Sequence, residues 1–296
     1  MTNKSVVSQI LAINVPESLF HYTTSVGLMG IVESGKIWTT KIQYMNDNSE
    51  LKLAFDYIRN EISLQRKGVG KTRTEEDLDK MCEALDSIER INVSVASFTE
   101  MGDQLSQWHG YCEIGNGYSL GFDGPKLRKL VHMQSSYNLV PCIYEEKEHI
   151  RLVKELVDNY PTKKMLDASL QSLDDSTKDL FGFTLAFSNS VLFLAPLIKS
   201  ESFKEEKEWR LITPVLGYTT AKFRKGHNSL IPYWEFDVNL ENTLKAVIIG
   251  PTPEPKLSSS AVQGLLLQER FINYSKGTSI FQGVKISQSK SPFRKI

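Results

Sequence analysis

The spacing of apolar and polar positions divides the chain into short strands in both halves and helices concentrated between them. Leu19 to Thr24 reads as a short strand, and Ser25 to Ser34 follows as a brief helix that Gly35 ends. Lys36 to Thr40 is a second strand rich in β-formers. Leu51 to Leu64 carries apolar residues at helical spacing, and Met45-Asn46-Asp47-Asn48-Ser49 before it is turn and cap chemistry. A helix over about 75–89 is followed by a strand over 91–98, a helix over 103–111 and strands over 117–122 and 140–144. From about 145 to 197 the pattern is mostly helical. Strand character returns at 209–215, 230–238, 244–249 and 279–286, with a helix over 256–271. Runs of strands separated by blocks of helix point to an α+β fold with a mixed or antiparallel sheet, not to a doubly wound one.

Composition narrows the classes. The chain has 296 residues, 41% of them hydrophobic and 24% charged, which suits one elaborated domain that buries a sizeable core. No apolar run nears the roughly 20 residues that span a bilayer. Thirty-five basic residues balance thirty-five acidic ones, so bulk attraction to nucleic acid is not expected. Cys82, Cys112 and Cys142 are odd in number and form no CxxC pair, which favours reduced thiols over a disulfide framework or a zinc site. With no evident signal peptide, the expected compartment is the cytoplasm.

Several motifs fail. Gly68-Val69-Gly70-Lys71-Thr72 lacks the earlier glycine of a phosphate loop, since Gln65 stands there, and reads as a helix–helix loop. Gly115, Gly117 and Gly121 do not form a dinucleotide fingerprint. His109 and Glu113 lack a third ligand, and no metal is expected.

Three pieces remain. Phe20-His21-Tyr22-Thr23-Thr24 lies on the first strand. Ser97-Phe98 ends a later strand and leads into Gln107-Trp108-His109-Gly110-Tyr111, where Trp108 and Tyr111 fall on one helical face, as core packing or as a platform for a flat ligand. Glu205-Glu206-Lys207-Glu208-Trp209-Arg210 runs into a strand. If already extended, it projects Glu206, Glu208 and Arg210 to one side.

With Met45-Asn46-Asp47 and the ending Ser291-Pro292-Phe293-Arg294, these pieces resemble a bacterial domain family of unknown function. The likeness covers most of the chain apart from its helical middle. That family in turn looks like a remote member of the ADP-ribosyltransferase superfamily, of the branch whose motifs supply His, Tyr and Glu. The resemblance implies a single ADP-ribosyltransferase-like domain over 1–296, with a split mixed sheet and a helical insertion at about 145–197. It implies NAD as co-substrate and His21, Tyr111, Glu208 and Glu206 as the catalytic set, with Tyr118 or Tyr22 as alternative tyrosines. Tyr22, Thr23, Ser97, Trp108, Arg210 and Arg294 would bind the cofactor, the arginines through its pyrophosphate. Asn46-Asp47 has no firm role and reads as a helix cap.

The implied activity is ADP-ribose transfer to a macromolecule, protein or nucleic acid, or simple hydrolysis of NAD. A bacterial toxin or antiviral effector with a neutralising partner protein would fit. The alternatives are a catalytically silent nucleotide sensor or interaction module, and an RNA-processing enzyme with a basic C-terminal tail.

Overall fold

The computed structural model describes residues 6–45, 48–70, 72–88, 92–112, 115–134, 136–160, 183–226, 228–269, 272–274 and 281–292. Strand β1 (Ser18–Thr24) leads into α2 (Ser25–Ser34), after the short α1 (Val6–Leu11). The Thr24 hydroxyl caps α2 by accepting from the Gly27 N–H, and Gly35 ends it at φ 70°, a left-handed value that glycine adopts without strain. Strand β2 (Lys36–Lys41) follows, then α3 (Asn48–Arg66), α4 (Glu75–Ile88), β3 (Ser94–Thr99) and α5 (Leu105–Tyr111). Next come β4 (Gly117–Asp123), α6 (Gly124–Met133), β5 (Asn138–Pro141), α7 (Glu146–Asn159), α8 (Phe183–Leu194) and β6 (Glu208–Ile212). The chain closes with β7 (Lys222–Lys225), β8 (Leu230–Asp237), α9 (Leu240–Thr243), β9 (Leu244–Ile249), α10 (Pro255–Gln268), a β10–β11 hairpin (Ile272–Tyr274, Phe281–Gly283) and β12 (Lys285–Gln288).

Ten strands form one open mixed sheet in the order β12-β9-β4-β1-β3-β2-β8-β7, with β6 and β5 branching from β3. Every strand pair in it is antiparallel except β12 with β9. The α+β reading holds at this level. The sequence pattern overlooked α6, although Asp123 caps it by accepting from the Lys126 N–H and Pro125 occupies its first turn.

The two-residue period of the central strands feeds two cores. Val95, Val140 and Ile212 face a helical layer of α1, α3, α4, α7 and α8. Ala96, Phe98, Leu139, Trp209 and Leu211 face the opposite way, where α2, α6 and α10 pack. The helices on either side of residues 161–182 therefore share one core with α3 and α4. Residues 161–182 themselves lie outside the described residues.

One feature of register positions the cleft. Strand β3 pairs fully with β6, from Val95↔Ile212 to Thr99↔Glu208. Its other edge meets β2 only at Val95 and Ser94, and β1 only at Thr99 opposite Phe20. Between those points β1 and β2 part, and the β3 backbone around Ser97 faces a gap. His21 enters it: its Nδ1 lies 2.9 Å from the Ser97 carbonyl oxygen, so a side chain takes the place of a missing ladder bond.

Candidate active site

At the gap, Phe20, His21 and Tyr22 from β1, Ser97, Phe98 and Thr99 from β3, Gln107 and Tyr111 from α5, and Glu206 and Glu208 line one cleft. Its volume is about 330 Å³, open mouth included. Strands and helix bring together segments some ninety residues apart along the chain: His21, Tyr111 and Glu208 all border this space.

A carbonyl only accepts, so the Ser97 contact puts the proton of neutral His21 on Nδ1 and leaves Nε2 as an acceptor. Burial lowers the His21 pKa, and the bond to Ser97 only partly opposes this. The ring sits 5.7 Å from Phe98. The Ser97 hydroxyl is buried and, among the described residues, has no partner, a donor left over at the cleft wall.

Glu208 opens β6, a strand buried along its whole length. Its backbone N–H donates to the Tyr144 hydroxyl at 2.7 Å. Its Oε1 accepts from Arg210 Nε at 2.8 Å. Its Oε2 accepts from Lys199 Nζ at 2.6 Å and Arg210 Nη2 at 3.0 Å. Burial by itself raises a carboxyl pKa, but the Arg210 guanidinium and the Lys199 ammonium overcome it and hold Glu208 at about 2. Lys199 also donates to Glu206 Oε2 at 2.7 Å, so one buried lysine bridges both glutamates. Among the described residues, two cations here face two carboxylates.

Three expectations need correction. Residues 206–208 are not extended: Glu201–Glu206 is a 3-10 helix, Lys207 turns at φ 44°, and the strand starts only at Glu208. Both carboxylates still converge, because the turn brings Glu206 back onto Lys199. Arg210 is not available to a pyrophosphate. It is 2% exposed, and its Nη1 donates to the Pro196 carbonyl at 2.5 Å while the rest of the fork grips Glu208. Trp108 does not share the cleft with Tyr111. Its ring packs edge-on against Tyr22 at 4.5 Å and its Nε1–H donates to Asp103 Oδ1 at 2.8 Å. Gly250 makes room for that ring: a Cβ there would stand 2.9 Å from Trp108 Cε3. Tyr111, at 38% exposure, is the most open of the aromatic residues that line the cleft with Phe20, Tyr22 and Phe98.

The other residues divide. Tyr22 borders the cleft, with its hydroxyl donating to the Met101 carbonyl at 2.8 Å and accepting from the Gln104 N–H at 3.0 Å; burial raises its pKa. The Thr23 carbonyl accepts from the Cys112 thiol at 3.4 Å, and Thr23 is not part of the lining. Burial pushes that thiol up to about 11, so Cys112 is no ready nucleophile. Arg294, Asn46-Asp47 and Glu113 lie outside the described residues. Among the described residues no cluster of three metal-ligating side chains occurs, and no helix is long and apolar enough to cross a membrane.

The sequence pattern missed Lys199 and Tyr144. Lys199 did carry a signal: it ends the apolar run Val191 to Ile198, where a lysine has to be paired to be tolerated. Tyr144 had none, because its role depends on β5 delivering the following loop beside β6.

No curated protein and no solved structure matches the chain. A family model described as a protein of unknown function (DUF2971) matches residues 107–211, which run from α5 to β6 and include Tyr111, Lys199, Glu206, Glu208 and Arg210.

Proposed function

We propose that the cleft takes the nicotinamide riboside end of NAD and that the protein breaks its glycosidic bond, passing ADP-ribose to a macromolecular acceptor or to water. The observation that carries this reading is the meeting of His21, Tyr111 and Glu208 in one hollow. The parting of β1 and β2 along β3 supports the split ADP-ribosyltransferase-like sheet that goes with it.

In this reaction the bond between the ribose C1′ and the pyridinium nitrogen breaks, and both electrons leave with nicotinamide. The sugar becomes oxocarbenium-like, the acceptor oxygen or nitrogen bonds to C1′, and its proton departs to a base. A carboxylate beside that sugar lowers the energy of the developing cation. Glu208 is ionised at any physiological pH, and its Oε1 spends one lone pair on Arg210, leaving another for a ribose hydroxyl. The Nε2 of neutral His21 accepts from a second hydroxyl. The Tyr111 ring stacks on nicotinamide. Glu206 pairs with Lys199 through Oε2 alone, so its other oxygen can take the acceptor's proton.

The test is Glu208→Gln with release of free nicotinamide as readout. The expected loss is about a hundredfold or more in kcat. A variant that consumes NAD at the wild-type rate ends the assignment. One observation favours a second reading, a catalytically silent nucleotide-binding module: both oxygens of Glu208 are gripped by buried cations. NAD binding without any nicotinamide release by the wild-type protein would select that reading.

A further inference from the structure

The far end of the sheet carries chemistry that the cleft does not use. Strand β7 is the terminal strand on that side, and its four residues, Lys222-Phe223-Arg224-Lys225, are all exposed. Strands β2, β7 and β8 together carry five cations, Lys36, Lys41, Lys222, Arg224 and Lys225, against the two carboxylates Glu235 and Asp237. Lys41 is buried, and register puts it and Lys225 on the opposite face. That leaves Lys36, Lys222 and Arg224 against Glu235 and Asp237 on one side, a small local excess of positive charge in a chain whose formal charge is zero.

Register sorts these residues by face. Trp38↔Glu235, Thr40↔Tyr233 and Lys222↔Tyr233 put Lys36, Trp38, Thr40, Tyr233, Lys222 and Arg224 on one side. Trp38 is 43% exposed, stands 4.3 Å from the Tyr233 ring at 31°, and has the Arg224 guanidinium carbon 5.9 Å from its own ring centre. Arg224 spends one N–H on the Thr40 hydroxyl at 3.0 Å and, among the described residues, forms no ion pair with a carboxylate. Lys36 and Lys222 share the single carboxylate of Glu235. Thr40 opposes Val95, so this platform lies on the sheet face that also carries Ser97, Thr99 and Glu208.

We infer that this face binds single-stranded nucleic acid, with an unpaired base stacked on Trp38 and phosphates met by Arg224, Lys222 and Lys36. An exposed indole flanked by a guanidinium suits the π-face of any base, and a fork with unused donors suits phosphate oxygens. A duplex hides its base faces and is the poorer ligand. The inference does not need the NAD chemistry. If that chemistry holds, the bound strand lies on the face of the sheet where ADP-ribose would be transferred.

The experiment is fluorescence anisotropy with a labelled single strand of about 12 nucleotides, RNA and DNA in turn, without NAD. Binding is expected at low salt, with a log–log salt slope of about −2 for three phosphate contacts. Trp38→Ala and Arg224→Ala should each weaken it about tenfold, while Trp38→Phe retains it. Arg224→Ala should also flatten the slope by about 0.7. Glu208→Gln should bind as wild type does, so a failed cleft assignment and a failed binding surface are told apart. Absence of binding at low salt overturns the inference. So does binding untouched by Trp38→Ala and Arg224→Ala together in a folded variant. Equal competition by poly-glutamate would assign the surface to an acidic protein instead.

Discussion

At the start of β6 and along the β2–β8–β7 edge, lysine, arginine and glutamate meet in similar numbers, but water reaches the cations of the second group far more freely. The side chains of Lys199, Glu208 and Arg210 are 3–4% exposed, whereas those of Lys36 and Lys222 are 42% and 57% exposed. In the first place burial makes each unpaired charge so costly that every partner is fixed to within hydrogen-bond distance. In the second place the ions are hydrated whether paired or not, and the pairing contributes little. A fixed, water-poor cluster suits the holding of one small substrate in one pose. A wet, cation-rich aromatic face suits a flexible polyanion that can arrive in many poses.

Arg210→Met attacks the fixed cluster hardest. It strips two donors from Glu208 and leaves a buried carboxylate with Lys199 alone. We expect a loss of about 3–5 kcal/mol in urea-unfolding stability. Adding Glu208→Leu and Lys199→Met should recover much of it, since apolar replacement of the three buried ions is far less costly than breaking their pairing, and Glu206, which loses Lys199, borders the open cleft. A loss under about 1 kcal/mol for Arg210→Met would mean that water reaches the cluster, and the contrast between the two regions would collapse.

Asp103 stands between the extremes. It accepts from Trp108 Nε1, the Ser289 hydroxyl and the Lys290 N–H, tying α5 to the end of β12. These donors hold its carboxyl below the usual range even though partial burial pushes the other way. Asp103→Ala should cost about 1–2 kcal/mol, less than Arg210→Met because solvent can replace some of these bonds. As α5 carries Tyr111, the same variant should disturb any ligand bound in the cleft.

Acid should separate the regions further. Glu208 falls from an ordinary 4.5 to about 2 on folding, so its contribution is complete above 4.5 and disappears as the pH drops toward 2. His21 is also depressed from 6.5, so the folded chain favours its neutral form. Its contribution is present above 6.5 and is lost as the pH falls through the lower folded value. Stability measured from pH 7 to pH 3 should therefore decline, with a shallower limb below 4.5 in Glu208→Gln. An unchanged limb in that variant would place the acid sensitivity elsewhere.

How far the sequence disclosed all this follows from what each residue depends on. The strands and helices whose period was clean, such as Ser25–Ser34 and Leu244–Ile249, are found at the expected residues. His21, Tyr111, Glu206 and Glu208 were singled out by type, by order and by the family resemblance, and all four border one cleft, Glu206 by way of the turn at Lys207 and not of the extended segment expected. Their partners could not be. The fates of Arg210 and Trp108 were decided by tertiary neighbours, the Pro196 carbonyl for one and the Tyr22 ring for the other, and by the backward turn at Lys207, which no periodicity announces. The Trp38 platform was equally hidden, since it needs β7 and β2 on either side of β8, and β7 was too short and polar to register as a strand.

The smallest effect is the most pointed check on the exposed side. Lys222 donates to Glu235 at 2.6 Å, a shorter contact than Arg210 makes with Glu208. If distance decided strength, Lys222→Ala would cost more than Arg210→Met. Exposure decides instead: the ammonium that leaves Glu235 is replaced by water and by Lys36, which already reaches the other carboxylate oxygen at 3.2 Å. The urea midpoint of Lys222→Ala should therefore match that of the wild type. Its salt dependence of oligonucleotide binding should flatten slightly, because one phosphate contact is gone while the fold is untouched. A midpoint that moves as far as it does for Asp103→Ala would show that this edge is held by its ion pairs after all.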